Sequence, residues 1–382
     1  MEKRRLHISC WLLAVSFWLL AVGCSSSDGT EEPQPTMLTI YVYSPEHPML
    51  IRSAIGPVNP TLAESTVHRL QIWIFESGKD KLVGYLDTTE TENSLLNINE
   101  GATYQMIVSD EFAKDKPKVD VYVFANVTGA NCGCAFDKNS TPDQLNAAKI
   151  DLGYFGLSPL FDAEWIAHKD LSHSLPMTGV LRNQPVVGDA PALRVGTLDR
   201  VATVSLTRAV SKVRFVFANT TGAPALTIKD IQMYKGMIPN TEYLIPQDQS
   251  LSYMSYNSSS ESLLPSQSPI GPVESINDPT AYIYDGQDGQ TYENLINNAN
   301  LTVVGPFYLR ESDKRLKGNI IYKIGEGSDQ ESEYQMNEAG DFQRNHSWIV
   351  YAYHAGGGFL QMNALYVKEW NNEEVNHAVY NW

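Results

Sequence analysis

Apolar residues recur at every second position over much of the chain, and runs with helical spacing are rare. In "MLTIYVY", Leu38, Ile40 and Val42 fall on one face, the period of a half-buried strand. "VHRLQIWIFESGKDKLVGYLD" divides into two such strands around a turn at Ser77-Gly78-Lys79-Asp80, with Leu70, Ile72 and Ile74 sharing a face. "KVDVYVFANV" is richer in apolar residues and predicts a central strand. "VATVSLTRAVSKVRFVFAN" predicts two short strands or one long bent strand. The same pattern returns in "LTIKDIQMYKG", "TAYIYDG", "LTVVGPFYL", "RLKGNIIYKIG" and "SWIVYAYHAGGGFLQMNALYVKEW", joined by long polar loops. The best helical candidate is "STPDQLNAAKIDL", where Thr141 caps, Pro142 suits the first turn and Gln144 completes a capping-box spacing.

The expected fold class is therefore mainly β, with few short helices. A chain of 382 residues exceeds one typical domain, so two are expected. Turn residues in "NTTGAPA" place a boundary at 219–225, separating a β domain over 37–218 from a second over 226–382. The Ser-rich stretch "DQSLSYMSYNSSSESLLPSQSPIGPVES" has no periodicity and reads as a surface excursion.

The first residues follow a different rule. Lys3, Arg4 and Arg5 precede the apolar run "CWLLAVSFWLLAV", then Gly23-Cys24, which together read as a secretion signal over 1–23. A small residue before a cysteine resembles a lipoprotein signal-peptidase site, making Cys24 the lipidated first residue of the mature chain. The rival reading is an ordinary cleavage site beside an incidental cysteine. Several acyl chains on Cys24 would hold the chain firmly to a membrane, whereas one is marginal. "SSSDGTEEPQPT" lacks apolar residues and extends this anchor as a flexible tether over 24–36.

Charge narrows the partners. The net charge is -16, and loss of the first 23 residues removes three cations and one acid, leaving about -18. Such a surface repels phosphate backbones, so no nucleic-acid partner is expected. No HExxH, GxSxG, P-loop or GxGxxG following a strand occurs, so no catalytic residue, cofactor or metal site is assigned and the chain is not expected to be an enzyme. His168 and His173 lack ligand spacing, and His346 and His354 would share one face of a strand; each reads as a structural histidine. Asp285 and Asp288 in "YDGQDGQ" lack a calcium-loop pattern and read as a polar turn. Cys132 and Cys134 in "NCGCAF" are too few for structural zinc, and a disulfide across one glycine is strained. They read as free or locally bridged thiols.

Several stretches, in order, resemble the FimA/Mfa-type fimbrillins, the lipoprotein-precursor pilins of Bacteroidetes (type V pili). They are "LTIYVYSPEHPMLIRSAIGPV", "VHRLQIWIFESGKDKL", "VDVYVFANVTG", "LPMTGV" as a Pro-Met-Thr-Gly turn, "VSLTRAVSKVRFVF", "FQRNHSWIVYAY" and "LYVKEWNNEEVNHAVYNW". Each is weak alone; their common order behind a lipoprotein-type signal is the specific feature. Residues 250–300 match nothing in the family.

The resemblance implies two transthyretin-like β-sandwich domains and a cell-surface, outer-membrane location. It also implies polymerisation by strand exchange. An Arg-specific protease cuts after the first strand, whose loss opens a groove that a neighbouring subunit fills. The matching scissile pair is Arg52 and Ser53. Pro45 and Pro48 independently argue that this loop is exposed, and Arg52 is the first arginine after the signal. The removable strand carries Leu38, Ile40 and Val42, each worth roughly 1.5–3 kcal/mol when buried. The natural donor is the tail 371–382, which extended reaches roughly 40 Å. In it Ala378, Tyr380 and Trp382 alternate on one face, and Val375, His377 and Val379 on the other. The alternative is that the tail completes its own C-terminal domain.

The expected partners are other fimbrial subunits, the outer membrane through Cys24 before processing, and a host or bacterial surface receptor. Rival readings are a fimbrial anchor or tip subunit, and a non-polymerising surface lipoprotein that binds glycan or host protein. A secreted hydrolase is opposed by the missing catalytic constellation.

Overall fold

The computed structural model describes residues 34–43, 67–88, 102–151, 175–197, 200–246, 255–264, 269–283, 298–335 and 343–367. The chain from Thr36 onward clusters as one compact unit. It is mainly β, and its sheets stack as sandwiches.

The earlier strands are β1 (Met37–Tyr43), β2 (Leu70–Glu76), β3 (Leu82–Thr88), β4 (Ala102–Ile107), β5 (Lys118–Ala125) and β6 (Lys149–Asp151). They continue with β7 (Met177–Asp189), β8 (Ala192–Thr197), β9 (Arg200–Val201), β10 (Thr203–Ser205) and β11 (Thr207–Arg208). β7 is long enough to serve two layers. Its first part pairs with β5, and its last four residues, Val186–Asp189, pair with β8. Asn183, with φ of 54°, sits at the register shift between Leu181 and Gln184, after which β7 stays paired with β5 as far as Pro185. One layer thus runs β7-β5-β2-β3, and the other holds β4, β1, β8 and β10. Between them, Leu38, Ile40 and Val42 meet Ile72, Ile74, Val121 and Val123 in a closed apolar core.

The later strands are β12 (Ser211–Thr220), β13 (Leu226–Met233), β14 (Thr241–Tyr243), β15 (Glu261–Ser262) and β16 (Ser275–Ile276). After them come β17 (Thr302–Leu309), β18 (Lys317–Ile324), β19 (Asp329–Gln335), β20 (Ser347–His354) and β21 (Gln361–Val367). β12 is central: it pairs antiparallel with β17 on one edge and parallel with β20 on the other. The facing sheet runs β15-β13-β18-β19. Val213, Phe215, Phe217, Trp348 and Val350 fill the space toward Ile228, Ile231, Ile320 and Tyr334.

Several expectations meet specific outcomes. β1, β2, β3 and β5 lie where alternation places them, with β5 between β2 and β7 as a central strand should. The capping box forms: Thr141 accepts from the Gln144 N–H, and the Gln144 side chain accepts from the Thr141 N–H. The helix stops at Asn146, and β6 takes over the end of the expected helical stretch. "TAYIYDG" is not a strand where described. Pro279–Tyr282 form a 3₁₀ turn because Asp278 caps the Thr280 N–H and Pro279 suits the first position. "LPMTGV" does not turn either; Met177–Val180 begin β7. Gly179 is required there by close approach, since a Cβ would lie 2.5 Å from the Ser205 carbonyl oxygen. β12, written N-terminal to the expected boundary, pairs with strands of the later half. The polar turn at 219–225 therefore joins β12 to β13 within one sandwich.

Gly318 is the tightest joint of the second sandwich. It pairs with Met233 and Tyr334, and an added Cβ would overlap the Gln232 carbonyl oxygen and stand 2.5 Å from the Tyr334 hydroxyl. The same hydroxyl donates to that carbonyl over 2.9 Å, so neither neighbour can yield cheaply. Gly318→Ala is expected to destabilise the chain by about 3 kcal/mol, measured by chemical denaturation of the full-length protein. An unchanged midpoint would show that β13 and β19 can spread apart.

Candidate functional site

The first strand occupies a slot, not an edge. Along one side β1 pairs antiparallel with β4 from Met37↔Ile107 to Val42↔Ala102. Along the other it runs parallel to two separate pieces, β8 opposite Met37–Thr39 and β10 opposite Tyr41–Tyr43. The split arises because β8 turns back into β9, after which β10 resumes the wall. Leu38, Ile40 and Val42 point into the core and are fully buried. The strand's entry is fastened by the Met37 N–H to the Pro191 carbonyl at 2.7 Å and the Val108 N–H to the Thr36 carbonyl at 2.9 Å.

One wall residue carries an unmet polar group. Tyr104 on β4 pairs with Ile40 and packs against the same core. Its hydroxyl is buried and finds no hydrogen-bond partner among the described residues. Burial pushes its pKa up to about 12.

The remaining sequence-derived candidates separate. Cys24, Arg52, Ser53, Val375, Ala378, Val379, Tyr380 and Trp382 lie outside the described residues, as do His168, His173, Asp285 and Asp288. Cys132 and Cys134 form no disulfide, and Cys132 is buried among Trp73, Phe124 and Leu145. His354 is buried, with Nδ1 2.8 Å from the Asn219 Oδ1 and Nε2 against the Gly357 carbonyl, which fits a structural role. Among the described residues no cluster of three or more His, Cys, Asp or Glu side chains is placed to hold a metal ion. No helix among them is long and apolar enough to cross a membrane.

Alternation did not reveal a buried ion cluster that joins three segments. Arg344, just before β20, donates to Glu311 from Nε at 3.0 Å and from Nη2 at 2.6 Å, and to Glu242 on β14 at 2.7 Å. Its Nη1 donates to the Leu244 carbonyl at 2.8 Å. The Glu311 N–H in turn donates to Glu242 Oε2 at 3.2 Å. β14 pairs with β6, so the cluster links the helix-bearing segment of the first half to the second sandwich. Burial holds the Glu242 carboxyl well above its ordinary range, with Arg344 opposing and Glu311 reinforcing the shift. Burial also acts on Glu311, yet the contacts with Arg344 outweigh it and hold this carboxyl below the ordinary range. "QRNHSW" contained the arginine, but no local pattern marks glutamates 33 and 102 residues away as its partners.

The architecture is that of a β protein of two sandwiches whose first strand lies inside a sheet. No family model matches the sequence, and no curated protein matches it. Among solved structures it is similar to the tip fimbrial protein Mfa3 of Porphyromonas gingivalis, at 11% identity and TM-score 0.49, over 87% of this chain and 99% of that one. It is also similar to a candidate cell adhesion protein of Parabacteroides distasonis, at 12% identity and TM-score 0.49, over 88% and 98%. A third is a fimbrial assembly protein of the same organism, at 11% identity and TM-score 0.43, over 87% and 96%.

The ion cluster has a signed pH dependence. Glu242 binds its proton more tightly folded than unfolded, so its contribution is present below its ordinary value of 4.5 and is lost as pH rises through the folded value. Glu311 acts oppositely: its contribution is present above 4.5 and is lost as pH falls through the folded value. Glu242→Gln is expected to remove part of the stability loss as pH rises above 4.5, measured by thermal melts. Glu311→Gln leaves Arg344 short of a counter-charge and should cost about 3–5 kcal/mol at pH 7. Parallel melting curves for wild type and Glu242→Gln would show that Glu242 does not titrate in this window.

Proposed function

We propose that this chain is a subunit of a cell-surface fimbrium that polymerises by exchanging its first strand. The observation that carries the reading is the position of β1, held between β4 and the β8/β10 wall with Leu38, Ile40 and Val42 fully buried. Losing such a strand bares two hydrogen-bonding edges and an apolar trough together, a surface that another strand fills by β-augmentation. The resemblance to fimbrillins supplies the rest of the proposal. Cleavage at Arg52–Ser53 frees the strand and, with it, the lipid on Cys24 that had held the subunit to the outer membrane. The tail 371–382 of a second copy supplies the replacement. In this reading the chain performs no catalysis.

Arg69, the next arginine along, is a poor cleavage site. Its guanidinium donates twice to Asp87, at 2.9 and 2.6 Å, at the start of β2. A protease would have to break that pair and the sheet beside it.

The test is limited trypsin treatment of the purified full-length chain, read as ladders on gels. Wild type is expected to form ladders, Arg52→Ala to form none, and deletion of 371–382 to give a folded monomer. Ladders that persist after the deletion would exclude the tail as donor. Wild type that stays monomeric after losing its first strand would overturn the polymerising reading altogether. The N-terminal residue of protein recovered from cells separates a processed subunit, beginning at Ser53, from an anchored one beginning at Cys24.

A further inference from the structure

We infer that the donor tail enters the slot with His377 at the position of Ile40, and that its imidazole takes up the hydrogen bond the Tyr104 hydroxyl lacks while β1 is in place. This rests on the strand-exchange reading above and adds a register and a specificity-determining pair to it.

The slot accepts three inward side chains, Leu38, Ile40 and Val42, spaced by two. The tail offers Val375, His377 and Val379 at the same spacing, with two β-branched residues flanking a polar one. The pattern is symmetric about His377, so the histidine falls at the middle position whichever way the strand runs. The other face of the tail would press Tyr380 and Trp382 into space that holds leucine, isoleucine and valine, which overpacks the core.

A buried histidine needs a partner, and the slot supplies one at that position. Ile40 and Tyr104 are direct cross-strand partners, and such pairs share a face with Cβ atoms close enough to interact. Among the described residues lining this core, Tyr104 carries the one buried polar atom without a partner. The opposite wall is also least restrictive there. β8 pairs with Met37–Thr39 and β10 with Tyr41–Tyr43, so the hand-off between them falls at position 40. β1 fills the slot but leaves the hydroxyl unpaired; a strand carrying histidine at the middle position fills it and satisfies that group. The exchange thus gains a hydrogen bond that the uncut subunit does not have.

The experiment compares full-length wild type, Tyr104→Phe, His377→Val and the double variant. Monomer melting is measured first, then trypsin-induced ladders are heated and their breakdown rates recorded. Tyr104→Phe should leave the monomer's melting temperature unchanged or raised, because it deletes a group with nothing to bond. The same change should speed ladder breakdown by roughly three- to tenfold, as should His377→Val, with the double variant no worse than either alone. A merely structural tyrosine would lower monomer stability as well. Ladders that form normally and break down at the wild-type rate in both single variants, or additive effects in the double variant, would overturn the His377–Tyr104 pairing while leaving strand exchange standing. Absence of ladders from wild type would overturn both.

Discussion

The double pairing of Met37–Tyr43 is the constraint on which the rest of the architecture depends. An edge strand can leave a sheet with the loss of one ladder, and many proteins shield such edges against stray pairing. β1 has no free edge: β4 lies along one side and β8 with β10 along the other. Its departure therefore exposes backbone on both sides and an apolar floor beneath. Such a state would be costly in water, and on the strand-exchange reading that cost favours the binding of another strand.

A slot that can be emptied needs a floor that survives the emptying. β2 and β5, at the centre of the β7-β5-β2-β3 layer, are buried on both faces. Ile72, Ile74, Val121 and Val123 look toward β1, while Trp73, Phe75, Tyr122 and Phe124 look the other way. That second face packs on Leu145 and Ile150, and on Ala209, Val210, Leu244 and Tyr308 from the approach to and body of the later half. The Arg344–Glu311–Glu242 cluster lies along the same seam. A buried ion pair is weak evidence of net stability, but removing either partner is expensive, so it holds those segments in one arrangement. Aromatic packing and ion cluster together tie the floor to the second sandwich independently of β1.

How much of this was legible in the sequence depended on whether the signal was local. Alternation placed β1, β2, β3 and β5 because strands with one face on a core must repeat every two residues. The capping box at Thr141 and Gln144 was equally local. The inward set Leu38, Ile40 and Val42 was legible too, since register and burial follow from the same period. What escaped depended on distant partners. Gly179 looked like a turn residue until Ser205 was found against it. The 3₁₀ turn at Pro279 was written in Asp278-Pro279 but masked by the apolar residues after it. The turn at 219–225 was correctly a turn, yet composition does not say whether a turn separates two domains or two strands of one. Neither the pairing of Ile40 with Tyr104 nor the reach of Arg344 to Glu242 leaves a pattern in contiguous residues.

The geometry of the slot also fixes where its selectivity must reside. β1 makes six antiparallel register pairs with β4. It makes three parallel pairs with β8 and three with β10. A replacement running the opposite way would exchange the two kinds of pairing between the walls and keep their number. Parallel pairing is only slightly weaker per residue, so the backbone offers little preference for direction and none for sequence. Discrimination therefore falls to the inward side chains, as it does wherever main-chain bonds give affinity and alternate pockets give specificity. In an apolar slot most such pockets read only size. Tyr104 differs because an unpaired buried hydroxyl penalises any strand that cannot reach it, including the chain's own. On the strand-exchange reading, a slot built this way would hold its first strand adequately and a better-matched one more firmly, which would give exchange a direction without any input of energy beyond the cleavage itself.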